Sequence, residues 1–411
     1  MIQKPKGTKD VLPEESFKWN FIENTASEIF KNAGINEIRV PTFEYTELFE
    51  RGVGDTTDVV QKEMYTFNDK GGRSITLRPE GTAGVVRSYI ENGLSSTVSP
   101  FKAWYKMPMF RYENVQKGRY REFNQIGLEI IGTASYLADI EAIAIANNLL
   151  NKLGINNILL TINSIGCKEC RSKYQKALKE FIGDNIEKYC ETCKSRFEKN
   201  PMRILDCKEK KCKEMNEGAP KILDYLCDEC KKHFENLKNM LSKFNIEYKV
   251  DPTIVRGLDY YTKTVFEFIS KEDGLTVLAG GRYDGLVKEL GGINTPAVGF
   301  AAGVERLLNL MPNELIKNET VELYIANMSQ AEIEYVLKLK EKLRKFISVE
   351  SDISERSFNS QLKYANKIKA KNLLVIGEDE IKNGFGKIKN MSNGEEVKVN
   401  LNVQEIVSKI N

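Results

Sequence analysis

The amino-acid sequence predicts an α+β protein with an antiparallel-sheet domain, a helical cysteine-rich insertion and a C-terminal α/β domain. Three observations lead to this fold class. Residues 101–131 have the alternation of a long hairpin, the eight cysteines are confined to residues 167–230, and strand and helix patterns alternate beyond residue 320. A hairpin pairs its strands antiparallel, whereas alternating strands and helices are typical of an α/β domain.

The chain of 411 residues is long enough for two or three domains. We place the sheet domain at 1–166 together with 250–312, the insertion at 167–249 and the C-terminal domain at 320–411. The net charge of +3 gives no strong global field toward nucleic acid, so local basic patches would have to meet such a partner. No apolar run reaches about 18 residues, and the first residues lack the apolar stretch of a signal peptide. We therefore expect a cytoplasmic protein that does not enter a membrane.

The N-terminal part predicts a helix over residues 16–34 and a strand over 37–42 that contains Pro41. Apolar side chains recur at helical spacing before Gly34, which favours a stop. Because proline has no amide hydrogen for a ladder bond, the strand should end there or lie at a sheet edge. An edge beside a long helix is a natural surface for a second copy, although a plain core helix and strand explains the same pattern.

Residues 74–92 predict a strand, a turn and a helix. Thr82 can cap that helix through its hydroxyl group. Glu80 stands in the turn, where its carboxylate could receive an ammonium group. Capping of the helix N terminus by the same carboxylate is the alternative.

The second strand of the hairpin, residues 122–131, has two faces of different character. Ile126, Leu128 and Ile130 share one face, as expected of a side that packs on a core. The opposite face presents a ring, an amide, a gap and a carboxylate, from Phe123, Gln125, Gly127 and Glu129. Together with Arg111 and Glu113 on the first strand, this face suits a nucleotide and a small cationic ligand. A half-exposed hairpin is the alternative.

The eight cysteines form four closely spaced pairs, and the single histidine, His233, follows the last one. The pairs are Cys167 with Cys170, Cys190 with Cys193, Cys207 with Cys212, and Cys227 with Cys230. Each spacing suits a tetrahedral zinc site, and disulfides are disfavoured in the cytoplasm. We expect one or two structural zinc ions or, alternatively, reduced thiols half-buried in a helical insertion; the spacing leaves the pairing open. With one histidine, catalysis must use carboxylates, tyrosine, arginine, metal ions or the substrate's own groups.

The stretch 256–262 combines a cation, a carboxylate and two phenols beside a glycine. Strand alternation would turn Arg256 and Tyr260 to one side and Tyr261 to the other. With the glycine-rich residues 279–285 nearby, the stretch is typical of a pocket wall, while a surface strand with a stray ion pair is the alternative.

Residues 296–308 predict a strand of small residues that runs into a helix. Arg306 would lie in the first turns of that helix, against the dipole preference. This placement indicates a partner anion, with a salt bridge near Glu305 as the alternative.

Over essentially its whole length, the chain resembles the histidyl-tRNA synthetases, which belong to the class II aminoacyl-tRNA synthetases. Phe110–Glu113 is similar to the second motif of the class, Gly303–Arg306 to the third, and the Pro41 strand with its preceding helix to the first, which forms the dimer. Arg256–Tyr261 and Ala279–Gly285 resemble two signatures peculiar to the histidine enzymes. The C-terminal domain resembles the anticodon-binding domain of the family. The cysteines of the insertion depart from the broad family pattern, which leaves the zinc question open but does not touch the catalytic positions.

This resemblance implies a homodimer that activates L-histidine with ATP and Mg²⁺ and then transfers it to the terminal ribose of tRNA(His). Arg111 and Arg256 would be catalytic, holding the α-phosphate and stabilising its developing charge. The ATP site would consist of Arg111, Glu113, Phe123, Arg256 and Arg306. The histidine site would consist of Glu80, Thr82, Gln125, Glu129, Tyr260, Tyr261 and Tyr283. The basic loop residues Lys117, Arg119 and Arg121 would approach the tRNA.

Two other functions fit parts of the sequence. A non-catalytic paralogue that regulates histidine biosynthesis usually lacks the C-terminal domain and has decayed signatures, and both are intact here. A zinc-dependent nucleic-acid-binding protein would explain the cysteine pairs and the basic loop, but it leaves Glu80, Glu129 and Arg256 without a role.

Overall fold

The structure is a computed structural model that describes residues 1–54, 57–116, 118–207, 209–316 and 320–410. The chain forms two compact units, Met1–Ile316 and Lys317–Asn411. Within the described residues, none of the helices combines the length and the apolar character that crossing a bilayer requires. The three domain boundaries proposed from the sequence stay predictions.

The first unit is built on an eight-stranded sheet with strand order β1-β5-β6-β11-β10-β9-β7-β8, and a small sheet with order β2-β4-β3 lies apart from it. The strands are β1 (Asn36–Glu37), β2 (Phe43–Tyr45), β3 (Tyr65–Asn68), β4 (Ser74–Leu77), β5 (Phe101–Phe110), β6 (Glu122–Ile131), β7 (Ile158–Ser164), β8 (Tyr248–Val250), β9 (Thr262–Ser270), β10 (Thr276–Arg282) and β11 (Ala297–Gly303). The five pairings from β5 to β7 are antiparallel, and only the outermost strands, β1 and β8, pair in parallel. The antiparallel sheet expected from the sequence is thus confirmed.

Helices cover this sheet and form the insertion. They are α1 (Pro13–Asn32), α2 (Thr46–Val53), α3 (Thr82–Glu91), α4 (Tyr136–Lys152), α5 (Lys168–Ile182), α6 (Glu191–Lys199), α7 (Lys210–Met215), α8 (Asp228–Lys243), α9 (Leu286–Glu289) and α10 (Val304–Leu310), together with a π-helix at Val59–Glu63. Helices α1, α4 and α8 share one apolar core with the sheet, and Ile126, Leu128 and Ile130 of β6 point into that core. The core-facing side of the predicted hairpin is therefore confirmed, and it leaves the other face of β6 free for a site.

The edge position predicted for the strand near Pro41 is also confirmed. Strand β1 ends the large sheet, where it pairs with β5 over only Asn36 and Glu37. The strand is shorter than the sequence pattern indicates: it ends at Glu37, and Pro41 lies beyond it.

The expected alternation over residues 256–261 is wrong. This stretch is a loop, and β9 begins only at Thr262. Because a loop is not bound to alternate its faces, Tyr260 and Tyr261 lie side by side, with their ring centroids 4.7 Å apart.

The second unit is an α/β domain around a five-stranded sheet with order β13-β12-β14-β15-β16. Its strands are β12 (Leu323–Asn327), β13 (Val349–Ser351), β14 (Asn372–Ile376), β15 (Phe385–Asn390) and β16 (Glu396–Asn400), and its helices are α11 (Ile333–Leu343), α12 (Phe358–Lys367), α13 (Glu378–Asn383) and α14 (Val403–Ile410). Strands β12, β13 and β14 are parallel, whereas β15 and β16 form an antiparallel hairpin. The C-terminal α/β domain is therefore confirmed.

Candidate active site

A cavity of about 290 Å³ opens on the face of β6 that points away from the core. Four residues that the sequence assigns to the phosphate and imidazole ends of the ligands line this cavity: Arg111, Glu129, Arg256 and Tyr261. Every other residue predicted for ATP or histidine lines it as well, namely Glu80, Thr82, Glu113, Phe123, Gln125, Tyr260, Tyr283 and Arg306. The fold thus collects side chains from five separate stretches of the chain around one space.

Glu129 lies at the most deeply buried part of the cavity, with 1% of its surface exposed. The hydroxyl group of Thr82 donates to Glu129 Oε1 at 2.7 Å, and the hydroxyl group of Tyr283 donates to Oε2. Burial raises the pKa of the Glu129 carboxyl to about 8, although the hydrogen bonds from Tyr283 and Thr82 oppose this shift. A carboxyl group with such a pKa can either accept or share a proton near neutral pH.

The expectation that Thr82 caps α3 is wrong, because its hydroxyl group is used by Glu129. Glu80 takes that place: its two carboxylate oxygens accept from the backbone N–H groups of Thr82 at 2.7 Å and Ala83 at 2.8 Å. Burial raises the pKa of the Glu80 carboxyl above its ordinary value. Glu80 therefore caps the helix and also borders the cavity, so the two alternatives considered from the sequence coexist.

Four buried polar atoms of the cavity lining have no hydrogen-bond partner among the described residues: Tyr105 Oη, Arg119 Nε, Gln125 Oε1 and Arg256 Nε. Of these, Gln125 Oε1 is an acceptor and Arg256 Nε is a donor. A buried polar group without a partner costs about 1–3 kcal/mol. A ligand with an N–H donor near Gln125 and an acidic oxygen near Arg256 would remove both costs.

The cavity lining is also rich in guanidinium groups. Arg256 forms an ion pair with Glu267 of β9, and its guanidinium carbon lies 5.6 Å from the centroid of the Tyr261 ring. Burial opposes the charged form of Arg256, but the Glu267 carboxylate keeps its pKa above the ordinary value. Arg111 donates from Nε to the carbonyl oxygen of Pro79 at 2.8 Å and lies over the Phe123 ring at 5.4 Å. Both arginines are thus held in fixed orientations.

Arg306 lies in the first turn of α10 and donates to the carbonyl oxygen of Thr276. Burial and the neighbouring Arg119 lower the pKa of the Arg306 guanidinium. The salt bridge considered for Glu305 is not formed by Arg306. Both Glu305 oxygens instead accept from the backbone N–H of Asn124, at 2.8 and 3.0 Å, which ties α10 to β6.

The residues of the basic loop 117–121 differ in their position relative to the cavity. Arg119 lines the cavity and lies 3.3 Å from Glu113, which is also 3.6 Å from Arg111. Arg121 instead lies over the Tyr112 ring, 3.7 Å from its centroid. Lys117, the third residue predicted to approach tRNA, falls outside the described residues.

The sequence interpretation missed two residues of the site. Tyr105 of β5 lies directly opposite Gly127 of β6, and its ring fills the space that a β-carbon on Gly127 would need. The glycine gap on the ligand face of β6 was the signal for a large side chain on the neighbouring strand. Glu267 was visible only as an ordinary strand carboxylate, since its ion pair with Arg256 depends on how the loop before β9 folds.

The cysteines lie outside the cavity lining and in two groups of four. Cys167, Cys170, Cys227 and Cys230 form one group, and Cys190, Cys193, Cys207 and Cys212 form the other, with all four sulfur atoms of a group within 4.8 Å of one another. His233 belongs to neither group: its Nε2 lies 3.2 Å from Asp139, which also binds the buried Arg282. The single histidine thus lies beside the buried Arg282–Asp139 ion pair, away from the catalytic candidates.

Comparison with known proteins agrees with this geometry. A family model described as "Histidyl-tRNA synthetase" matches residues 7–307, and one described as "Anticodon binding domain" matches residues 322–411. The chain is 52% identical to a histidine--tRNA ligase of Acetivibrio thermocellus, over 98% of each chain. It is also 52% identical to one of Clostridium botulinum (strain Kyoto / Type A2), over 100% of this chain and 99% of the relative.

The structural comparison gives the same result. The crystal structure of apo S. aureus histidyl-tRNA synthetase matches with a TM-score of 0.84 at 39% identity, and each chain is covered in full. A regulatory subunit/histidyl-tRNA synthetase from Bacillus halodurans C matches with a TM-score of 0.68, but at 22% identity this likeness concerns the fold alone. The family model, the full-length relatives and the cavity agree, and the chain belongs to the histidyl-tRNA synthetase family.

Proposed function

We propose that the chain is a histidine--tRNA ligase, which activates L-histidine with ATP and transfers it to tRNA(His) for translation. The observation that carries this proposal is the polarity of the cavity. Its lining combines a buried carboxyl group among phenols with four arginines. An imidazole and a triphosphate have the complementary chemistry, and the activation reaction must bring these two groups together in one site.

In the activation step, a histidine carboxylate oxygen attacks the α-phosphorus of ATP, and the bond to pyrophosphate breaks. Arg111 and Arg256 would hold the α-phosphate and stabilise the negative charge that develops on its oxygens. Phe123 and Arg306 would enclose the adenine from its two faces. The orientation of Arg256 is set in advance by Glu267, so little reorganisation is needed when the phosphate binds.

Histidine would bind at the buried end. Glu129 and Tyr261 would contact the two ring nitrogens, with Tyr260 and Tyr283 along the sides of the ring. Glu80, Thr82 and the free acceptor of Gln125 would hold the α-ammonium group. A ligand without both ring nitrogens would leave buried polar groups unpaired, so it would be rejected.

The family uses ATP with Mg²⁺, and the cavity provides one carboxylate suited to that ion beside the phosphate-binding arginines. Glu113 is a carboxylate among the phosphate-binding arginines, and carboxylate with phosphate oxygens is the ligand set that Mg²⁺ prefers. When bound there, Mg²⁺ would neutralise charge on the outgoing phosphates. Structural zinc in the insertion is a separate part of this proposal, because the cysteines do not line the cavity.

For the partners, we propose that the 117–121 loop meets the acceptor end of tRNA and that the C-terminal unit binds the anticodon. The support is the basic composition of the loop and the match of residues 322–411 to an anticodon-binding family. These contacts would be mostly to phosphates and therefore sensitive to salt. A protein that charges tRNA acts where ribosomes work, so we place it in the cytoplasm.

The direct test is histidine-dependent exchange between ATP and pyrophosphate, followed by charging of tRNA(His). In Glu129→Gln, we expect the dissociation constant for histidine to rise by about 10²-fold or more, because the amide cannot replace a charged or proton-sharing partner. The dissociation constant for ATP should change little and serves as the internal control. Equal losses for both ligands would remove Glu129 from the histidine site, and absence of exchange in the unmodified chain would refute the function itself.

A further inference from the structure

The two cysteine groups are nested along the chain. The outer group combines the first and last pairs, Cys167 with Cys170 and Cys227 with Cys230. The inner group combines the two middle pairs, which span residues 190–212. We propose that each group binds one zinc ion through four thiolates, so that the insertion contains two separate structural zinc centres. This inference rests on the zinc part of the proposed function and adds the number, the pairing and the task of each ion.

The distances between sulfur atoms fit a single tetrahedral ion in each group. A zinc–sulfur bond of about 2.3 Å places neighbouring sulfurs of a tetrahedron about 3.8 Å apart. Cys190 Sγ lies 3.8 Å from Cys207 Sγ in the inner group, and Cys167 Sγ lies 3.5 Å from Cys170 Sγ in the outer group. A disulfide needs about 2.0 Å, and an iron–sulfur cluster would spread the sulfurs further because several atoms stand between them.

Backbone N–H groups are directed at the sulfur atoms in both groups. The N–H of Cys227 donates to Cys170 Sγ at 3.1 Å, and the N–H of Cys190 donates to Cys212 Sγ at 3.4 Å. In addition, Cys167, Cys190 and Cys227 stand immediately before α5, α6 and α8, where the helix N terminus favours a thiolate. Thiolates bind zinc, and hydrogen bonds of this kind support metal ligands.

Ordinary packing of reduced thiols does not account for this arrangement. Packing of small apolar side chains in a core does not require four sulfur atoms from separate stretches of the chain to converge on one point. Two such groups of four form here. The segment between α5 and α8 consists of short helices and turns. A segment with so little regular structure commonly depends on a metal to hold its fold.

The outer centre closes the base of the insertion against the sheet. It joins the start of α5 to the start of α8, next to Gly166, whose carbonyl oxygen accepts from the backbone N–H of Lys263 in β9 at 2.9 Å. The inner centre holds α6 and the turn that follows it. There, Asn200 donates to Asp259 at 3.0 Å, and Arg196 donates to Asp58 at 3.1 Å. The inner zinc thus supports the contact between the insertion and the 256–261 loop.

The test is the metal content of the full-length protein purified under reducing conditions. We expect two zinc ions per chain, with Cys193→Ser losing the inner ion and Cys230→Ser losing the outer one. Cys190→His should keep both ions, since three thiolates and an imidazole also bind zinc. Ser195→Ala, an exposed change on α6, is the matched control and should also keep both.

A metal content near zero in the unmodified chain, iron in place of zinc, or single variants that lose neither or both ions would overturn the proposal. If a serine variant fails to fold, native mass spectrometry and the thiolate absorption of the cobalt-substituted unmodified chain still count the sites. Metal content is measured without substrate, so it does not depend on exchange activity. A chain with two zinc ions and no exchange would refute the ligase function alone, and the reverse result would refute the zinc centres alone.

Discussion

Glu129 is fixed by two hydroxyl groups at a depth where almost none of its surface meets solvent. A carboxyl group in that setting holds its proton to higher pH, because burial disfavours its charge more than the two hydrogen bonds favour it. Arg256 shows the opposite balance: it is also buried, yet the ion pair with Glu267 keeps it charged. The cavity lining therefore contains both a permanent cation, Arg256, and a proton-exchanging acid, Glu129.

Arg256→Ala tests the cation. We expect histidine-dependent exchange to fall by about 10²–10³-fold, as is typical when one donor to a developing oxyanion is removed. Thermal unfolding should show a folded protein, because Arg256 lies in a loop and not in the sheet. The control is Arg344→Ala, which removes a half-exposed guanidinium of the second unit and should leave exchange unchanged. Near-normal exchange in Arg256→Ala would exclude this residue from catalysis.

The raised pKa of Glu129 leads to a prediction about how the free energy of unfolding depends on pH. With a pKa of about 8 in the fold against an ordinary value of 4.5, Glu129 binds a proton in the folded chain that the unfolded chain has released. Its contribution to stability is therefore complete at low pH and is lost as the pH rises through about 8, by up to about 1.4 kcal/mol per pH unit. Glu129→Gln lacks this loss, so the free energy of unfolding of the variant should gain on the unmodified chain between about pH 5 and about pH 8. Parallel denaturation curves at each pH measure the difference, and a constant difference would contradict the raised pKa.

At this scale, much of the site could be predicted from the sequence. Because side chains alternate strictly along a strand, the order of residues alone places Gln125 and Glu129 on the same face of β6, with Gly127 between them. Tyr105 and Glu267 could not be placed in this way, because their positions depend on strand register and on a loop conformation. The resemblance to the family supplied the roles, which alternation alone does not give.

Among the elements, β6 and β11 determine how much room Glu129 has. Gly299 of β11 lies opposite Glu129 in the sheet, and a β-carbon there would collide with the Glu129 carboxylate and with the carbonyl oxygen of Leu128. The antiparallel pairing thus requires the smallest residue at this position.

Gly299→Ala is therefore expected to displace the Glu129 carboxylate. Overpacking of this kind costs about 1–3 kcal/mol, so we expect histidine affinity to fall by roughly 10–100-fold in calorimetric titration. Gly71→Ala, in the exposed turn between β3 and β4, is the matched control and should bind histidine normally. Unchanged affinity in Gly299→Ala would show that the carboxylate is not held as tightly as its contacts indicate.

Elements with strong periodicity or clear boundaries are predictable, and short ones are not. The long helix α1 (Pro13–Asn32) overlaps the helix predicted at residues 16–34, whereas α2 and β3 escape prediction, since eight and four residues carry too little pattern. The 256–261 loop has the alternation of a strand by chance. Its real path follows from contacts with distant residues such as Glu267 and Asn200.

On the scale of the whole molecule, the small sheet presents a patch of exposed aromatic side chains. Phe43, Tyr45 and Phe67 are each about half exposed, and Tyr45 and Phe67 flank Ile75 in register. A soluble monomer seldom exposes such a patch, which is more typical of an interface. We propose that this face contributes to the homodimer that the family resemblance implies.

Phe43→Glu should weaken that dimer, because a charge would be buried against an apolar surface. Sedimentation velocity at micromolar concentration is expected to show a shift from dimer to monomer. Phe244→Glu changes an equally exposed phenylalanine of the insertion and should leave the dimer intact. A stable dimer in Phe43→Glu would place the interface elsewhere on the chain.

The Tyr105 ring, which packs against Gly127 and forms the floor of the cavity, has a consequence for accuracy in translation. A rigid aromatic floor excludes bulkier side chains, while the paired acid and phenol above it discriminate against smaller ones that cannot satisfy both. Selection by unmet hydrogen bonds reaches about 10⁴–10⁵ without a second sieve. If Glu129 and Tyr261 have the roles proposed above, the enzyme would need no hydrolytic proofreading step, because selection would be complete when the amino acid first binds.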